Sequence, residues 1–81
     1  MSSLDKLRAT FAESLGLPVS EVSDDLTYNT IAQWDSVAHM ALIAALEDAF
    51  DVLIETEDVI DMSSFAKAKA ILTKYGIGFD A

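Results

Sequence analysis

The sequence predicts an all-α protein, a four-helix bundle with a long first loop and a short third helix. Two observations support this fold class. Apolar residues recur at helical spacing in several segments, and no segment alternates convincingly as a β-strand. Gly and Ser/Thr residues stand where these segments begin or end. The chain has 81 residues, so residues 1–81 are expected to form one domain, with the bundle over 3–76 and a tail over 77–81.

The first helix is predicted over residues 3–15. Ser2 and Asp5 have the spacing of a capping box, and Gly16 followed by Pro18 ends the helix. Residues 17–34 then form a long polar connection, which needs its own apolar anchors. The expected anchors are Val22, Leu26, Ile31 and Trp34.

The second helix, over residues 36–50, contains many good helix formers and neither Gly nor Pro. Thr56 is expected to cap a short third helix over 57–61, whose first turn is acidic. Ser63 or Ser64 is expected to cap the fourth helix, over 64–75, which Gly76 ends.

The charge distribution narrows the classes of partner. The net charge is −9, and not one Lys or Arg lies between Arg8 and Lys67. Such a chain repels nucleic acid and anionic membrane surfaces, and it favours basic protein partners. There is no cysteine, which excludes disulfides and thiol chemistry of the chain itself. Without a secretory signal or an apolar run of about 18 residues, a cytoplasmic location with no membrane insertion is expected. The chain is also expected to be a monomer.

Ser36 lies at the start of the second helix, where two interpretations compete. Asp35 or Ser36 is a suitable helix cap. Alternatively, Ser36 is the attachment point of a covalently bound group. A phosphodiester on Ser36 would lie over the exposed amides of the helix N-terminus, where an anion is stabilised. A catalytic triad of Asp35, Ser36 and His39 is disfavoured, since adjacency does not give Asp35 access to the far side of the imidazole. The chain itself therefore offers no base that could activate the Ser36 hydroxyl. Another enzyme would have to attach the phosphodiester-linked group.

The second helix has two informative faces. One is a core stripe of His39, Leu42, Ile43, Leu46 and Phe50. The opposite face is apolar near Ser36 and acidic further on, which is typical of a transient docking surface unless the long loop covers it. Its members are Val37, Met40, Ala44, Glu47, Asp48 and Asp51. The acids between residues 48 and 61 do not indicate a calcium site, because an EF-hand loop needs a central Gly.

The motif Asp35-Ser36-Val37 at the start of a long helix, after a long first loop, resembles the attachment motif of acyl carrier proteins. The resemblance continues through Leu42, Leu46-Glu47, Phe50-Asp51 and Ile54 to the fourth helix. It implies an acyl-carrier-protein-like fold with 4′-phosphopantetheine on Ser36, donated from coenzyme A by a phosphopantetheinyl transferase. It also implies a thioester-bound acyl group held near core residues of the second and third helices. These are Leu42, Ile43, Leu46, Ile54, Val59, Ile60 and Met62.

The same resemblance implies that the second helix docks acyl-transferring, ligating or condensing enzymes with basic patches. Asp35, Val37, Met40, Glu47 and Asp48 are the expected partner-binding residues. The chain departs from the common pattern at Val37, in place of Leu, and at Ala41, in place of an acid. Trp34 before the motif is more reminiscent of polyketide-type or other specialised carriers.

The predicted function is thus a non-enzymatic acyl carrier for fatty acid, polyketide or related lipid biosynthesis. Two alternatives stay open. A peptidyl or aminoacyl carrier would use the same arm, and an acidic helical adaptor would bind basic proteins without modification.

Overall fold

The computed structural model describes residues 2–28 and 31–79, and within them the chain forms four α-helices and one short 3-10 turn. The helices are α1 (Ser3–Leu15), α2 (Ser36–Phe50), α3 (Thr56–Asp61) and α4 (Phe65–Lys74), and the 3-10 turn is Val19–Glu21. The predicted four-helix fold is confirmed, and the bounds of α1 and α2 are those expected from the sequence.

Local side chains cap the start of three of the four helices, α1, α2 and α4. The Ser2 hydroxyl accepts from the Asp5 N–H (3.1 Å) at the start of α1, and the Ser64 hydroxyl accepts from the Lys67 N–H (2.9 Å) at the start of α4. Ser64, rather than Ser63, is therefore the cap of α4. Gly16 ends α1 in the left-handed region, with φ of 69°, a conformation that glycine adopts without steric cost.

The prediction that Thr56 caps α3 is wrong. Thr56 is the first helical residue, and Glu55 is the N-cap, although its side chain makes no capping bond. The Glu55 carbonyl accepts from the Asp58 and Val59 amides, both at 3.0 Å. The Glu55 N–H donates to the Tyr75 hydroxyl (2.9 Å), so a residue of the α4 terminus fixes where α3 begins.

An aromatic cluster forms the centre of the core. Phe11 of α1 makes edge-to-face contacts with Trp34 and with Phe65 of α4, at centroid distances of 5.5 and 5.0 Å. All three rings are fully buried. Such pairs stabilise the core beyond their area burial. The long loop is folded onto this cluster, since Val22, Leu26 and Trp34 are buried as expected and Ile31 is partly buried.

Residues 26–28 of the long loop are also tied to the α3–α4 linker. Tyr28 N–H donates to the Ser63 carbonyl (2.7 Å), and Phe65 N–H donates to the Leu26 carbonyl (3.0 Å). Thr27 and Ser64 form an isolated antiparallel bridge between these bonds. This pairing places Tyr28 and Ser63 beside each other, next to the start of α2.

The predicted tail packs against the bundle over its described part. Ile77 N–H donates to the Leu72 carbonyl (3.2 Å), and the Phe79 ring contacts the Phe50 ring at 6.0 Å. Residues 80–81 of that tail lie outside the described residues. Within the part of the chain that is described, none of the helices combines the length and the apolar character needed to cross a bilayer.

One buried carboxylate fastens α3 to α4. Asp58 accepts hydrogen bonds from the Lys74 ammonium (2.7 Å) and from the Tyr75 hydroxyl (2.6 Å). The Lys74 bond, followed by the Tyr75 bond, lowers the pKa of Asp58 from its usual value of 3.8. The same hydrogen bonds raise the pKa of Lys74 and of Tyr75. The network therefore stabilises the fold while Asp58 is ionised and both donors are protonated.

Asp58→Asn is expected to lower the urea midpoint at pH 7 without changing the denaturant slope. The ionised Asp58 stabilises the fold above its unfolded pKa of 3.8, and this contribution is lost as the pH falls through the lower folded pKa. The difference in free energy of unfolding between the two proteins should therefore be constant from neutral pH to about 5 and shrink below about 4. Urea titrations at several pH values measure it.

Glu57→Gln is the matched control for Asp58→Asn, because Glu57 is an exposed acid of the same helix. Its midpoint should stay close to that of the parent protein at every pH. Equal effects of the two substitutions would mean that net charge, rather than the Asp58 network, sets the stability.

Candidate functional site

Ser36 is the first residue of α2 and is exposed to solvent. Asp35, rather than Ser36, caps α2, because its carboxylate accepts from the Ala38 N–H (2.9 Å). The Ser36 hydroxyl has no hydrogen-bond partner among the residues that the structure describes. Its position at the helix start leaves the Ser36 and Val37 amides without intrahelical acceptors, which favours an anion there.

The apolar residues next to Ser36 are open to solvent. Val37 is 79% exposed and Met40 is 59% exposed. The long loop therefore does not cover this part of α2, and the alternative in which it buried both side chains is wrong. Its buried anchors turn instead toward the aromatic cluster.

Two of the acidic residues predicted on the docking face, Glu47 and Asp48, differ in their surroundings. Asp48 is exposed. The Glu47 carboxylate is half-buried and accepts from the Ile54 N–H (2.9 Å), while the Glu47 carbonyl accepts from the Val52 N–H (3.1 Å). Glu47 thus fixes the path of the α2–α3 connection, a structural task that spacing along α2 could not indicate.

His39 lies one turn after Ser36 and makes two hydrogen bonds away from it. The Trp34 indole N–H donates to Nδ1 of His39 (3.0 Å), and Nε2 lies 2.8 Å from the Val59 carbonyl. One carboxylate oxygen of Asp35 accepts the capping hydrogen bond from the Ala38 N–H. The three side chains are thus not arranged as a nucleophile, a base and an orienting acid.

A mostly apolar groove opens beside Ser36. Its volume is about 310 Å³. Ser36, His39 and Met40 form the α2 wall, and residues 59, 60, 62 and 63, together with Tyr28, complete the lining. Ile60 of α3 is 75% exposed at its rim. Sequence reasoning missed Tyr28 and Ser63, since only the loop–linker pairing brings them here.

The residues that the family resemblance implied would shelter an acyl chain lie in two different places. Val59, Ile60 and Met62 line the groove. Leu42, Ile43, Leu46 and Ile54 lie in the buried core instead and are not part of its lining. Among residues 2–28 and 31–79, no three His, Asp or Glu side chains are grouped closely enough to hold a metal ion.

Residues 5–71 match the family model described as "Phosphopantetheine attachment site". The chain is 31% identical over 74 residues to an acyl carrier protein of Streptococcus pyogenes serotype M1, an alignment that covers 86% of this chain and 99% of that protein. It is 33% identical over 61 residues to an acyl carrier protein of an Exiguobacterium species, covering 75% of this chain and 77% of the relative.

The family model spans the long loop, α2, α3 and most of α4, so the match includes every helix that surrounds the groove. The alignments cover nearly the whole length of the Streptococcus pyogenes protein and most of the length of the Exiguobacterium protein. The chain therefore belongs to the acyl carrier protein family, whose members carry a covalently attached 4′-phosphopantetheine group and serve partner enzymes in acyl transfer.

Proposed function

We propose that Ser36 is the residue that carries the 4′-phosphopantetheine arm. The observation that supports this most directly is the exposed Ser36 hydroxyl at the first position of α2, which no described residue hydrogen-bonds and which lies next to a groove of about 310 Å³. A phosphodiester at this oxygen would lie near the free amides of the first helical turn. The site thus fits the arm on chemical grounds that are independent of sequence similarity.

The attachment is a phosphoryl-group transfer from coenzyme A. The Ser36 oxygen forms a new P–O bond to the phosphorus nearest the pantetheine, and the diphosphate bond of coenzyme A breaks, releasing its nucleotide part. The hydroxyl proton goes to a base of the phosphopantetheinyl transferase, because His39 has both ring nitrogens engaged elsewhere. Asp35 keeps one carboxylate oxygen outside the helix cap and is a suitable contact for that enzyme.

The loaded chain then acts as a carrier rather than an enzyme. The terminal thiol of the arm holds an acyl intermediate as a thioester, and this replaces the cysteine that the chain lacks. Fatty acid, polyketide or related lipid biosynthesis are the pathways that we propose for it. A cytoplasmic location stays a prediction.

The direct test uses the whole chain with coenzyme A and a promiscuous phosphopantetheinyl transferase. We expect the intact mass to rise by one phosphopantetheine, and we expect peptide mapping to place the group on Ser36. An unmodified chain beside a control carrier that the same enzyme modifies would favour the unmodified adaptor.

We also propose that the exposed face of α2 docks basic partners, with Val37 and Met40 as apolar contacts and Asp48 as a charged one. Asp48→Lys is expected to slow association with the transferase several-fold at low salt, because steering between opposite charges depends on this acid. The effect should fade as ionic strength rises toward 0.15 M or more, where the screening length is about 8 Å. Stopped-flow or surface-based association rates measure it.

Glu13→Lys is the control for Asp48→Lys, since it makes the same charge change at an exposed position of α1. It should alter the association rate much less than Asp48→Lys. Glu47→Lys is a poor test, because losing the bond to the Ile54 N–H would disturb the α2–α3 connection itself. Equal slowing by the Asp48 and Glu13 variants would mean that only net charge matters.

A further inference from the structure

His39 is one of the residues that line the groove beside Ser36. On the α2 side only Ser36, His39 and Met40 contribute to its lining, and all three lie in the first two turns of the helix. The next inward-facing residue of α2, Leu42, is fully buried in the core. The groove therefore does not continue along α2 into the bundle.

The orientation of the His39 ring is fixed by its two partners. An indole N–H can only donate, so Nδ1 of His39 must accept from Trp34. A carbonyl oxygen can only accept, so Nε2 must carry the proton that is donated to Val59. These two requirements define one neutral tautomer. The ring also stacks on Trp34, with a centroid distance of 6.0 Å.

His39 thereby joins three elements, namely the end of the long loop, α2 and α3. Its bond to the Val59 carbonyl spans the seam between α2 and α3, and both residues line the groove. An acyl chain that entered the core by this seam would have to break the bond between His39 and the Val59 carbonyl. Displacement of the His39 ring would also leave the N–H of the fully buried Trp34 without its acceptor, which is costly in a protein interior.

The space behind His39 is already filled. Leu42, Leu46 and Trp34 are fully buried, and Met62 is nearly so. The groove itself, at about 310 Å³, is at the lower end of the range for small-molecule pockets, roughly 300–1,000 Å³. Beyond the groove, a long alkyl chain has no open path among these buried side chains.

We propose that His39 is a specificity-determining residue that closes the inner end of the groove and keeps the acyl group of this carrier at the surface. This inference rests on the proposed attachment at Ser36. Short acyl groups fit between Met40 and Met62, whereas the outer part of a long chain stays exposed to solvent and to partner enzymes. Removal of the His39 ring opens the seam toward Leu42 and Leu46.

The test loads the whole chain with butanoyl-, octanoyl- or dodecanoyl-phosphopantetheine and measures two quantities. The first is the rate of thioester cleavage by hydroxylamine, which is proportional to the fraction of time that the thioester is exposed to solvent. The second is the set of ¹³C-methyl shifts of Met40, Met62, Leu42 and Leu46. For the parent protein we expect cleavage rates within about 2-fold across the series, and shifts at the two methionines only.

His39→Ala is expected to slow cleavage of the dodecanoyl thioester by about 5-fold or more relative to the parent, and to shift the Leu42 and Leu46 methyls. His39→Gln is the conservative control, because its amide both donates and accepts and should keep the seam closed. The proposal is overturned if the parent protein already protects long chains and shifts the leucine methyls, or if His39→Ala behaves as the parent does.

Intact mass after loading separates this inference from the attachment proposal, since a missing arm contradicts only the latter. The methyl spectra are therefore also recorded on the unmodified chain with free octanamide, a neutral probe that the acidic surface does not repel. Shifts confined to Met40 and Met62 in the parent support closure by His39. Shifts at Leu42 and Leu46 in the parent overturn it, even where a His39 variant fails to fold.

Discussion

Ser36→Ala is expected to abolish phosphopantetheine attachment completely while leaving the fold intact. The substitution removes the only atom of the side chain that can form the phosphodiester. Ser36 is exposed and Asp35, rather than Ser36, caps α2, so the free energy of unfolding should change by less than about 0.5 kcal/mol. Intact mass after incubation with transferase and coenzyme A measures the first effect, and urea denaturation measures the second.

Ser63→Ala is the matched control for this experiment, because Ser63 is an exposed serine on another wall of the same groove. It should take up one phosphopantetheine as the parent protein does. The assignment of Ser36 would be wrong if Ser36→Ala still gained the arm. Loss of attachment in both variants would point instead to a disturbed groove or docking surface.

Much of the fold was predictable because its determinants are local. Apolar residues at helical spacing and the Ser2 cap define α1, and the uninterrupted run of helix formers defines α2. The start of α3 was predicted one residue late, since the bond between Glu55 and Tyr75 joins residues 20 positions apart. No local pattern contains that information.

The candidate site was likewise predictable where its determinants are local, and not where they are contacts between distant residues. The location of Ser36 at the start of α2 was readable from the motif and from its helical context. The closure of the groove was not readable, because the His39–Val59 bond again joins residues 20 positions apart. Glu47 was predicted only as a partner contact, although its carboxylate reaches the Ile54 backbone. Contacts across the α2–α3 connection therefore decide which of the α2 side chains remain free for function.

Trp34 is the residue on which the position of Ser36 depends most strongly. It stands two residues before Ser36, is fully buried, and contacts Phe11, Tyr28 and His39 with its ring. The end of the long loop is thus fastened to α1 and to α2 at once. This contact sets where α2 begins and which residues its first turn presents to solvent.

Trp34→Ala is expected to cost about 3–5 kcal/mol of unfolding free energy, as large-to-small substitutions of buried aromatic residues do. A domain of 81 residues has a total of roughly 4–12 kcal/mol, so the variant should be partly unfolded at 37 °C. Trp34→Phe keeps most of the packing but removes the donor to His39, and it should cost about 1–3 kcal/mol. Urea denaturation followed by circular dichroism measures both, because the parent's only tryptophan is the residue being changed.

Val37→Ala provides the control on the other side of Ser36, since this side chain is 79% exposed and should change stability by less than about 0.5 kcal/mol. If Trp34→Ala were as mild as Val37→Ala, the long loop would not be anchored through Trp34. The intermediate effect of Trp34→Phe then has a functional consequence. The folded molecules of that variant should still accept the arm on Ser36, because the Asp35 cap does not involve the indole, whereas the His39 ring loses one of the two bonds that hold it across the groove.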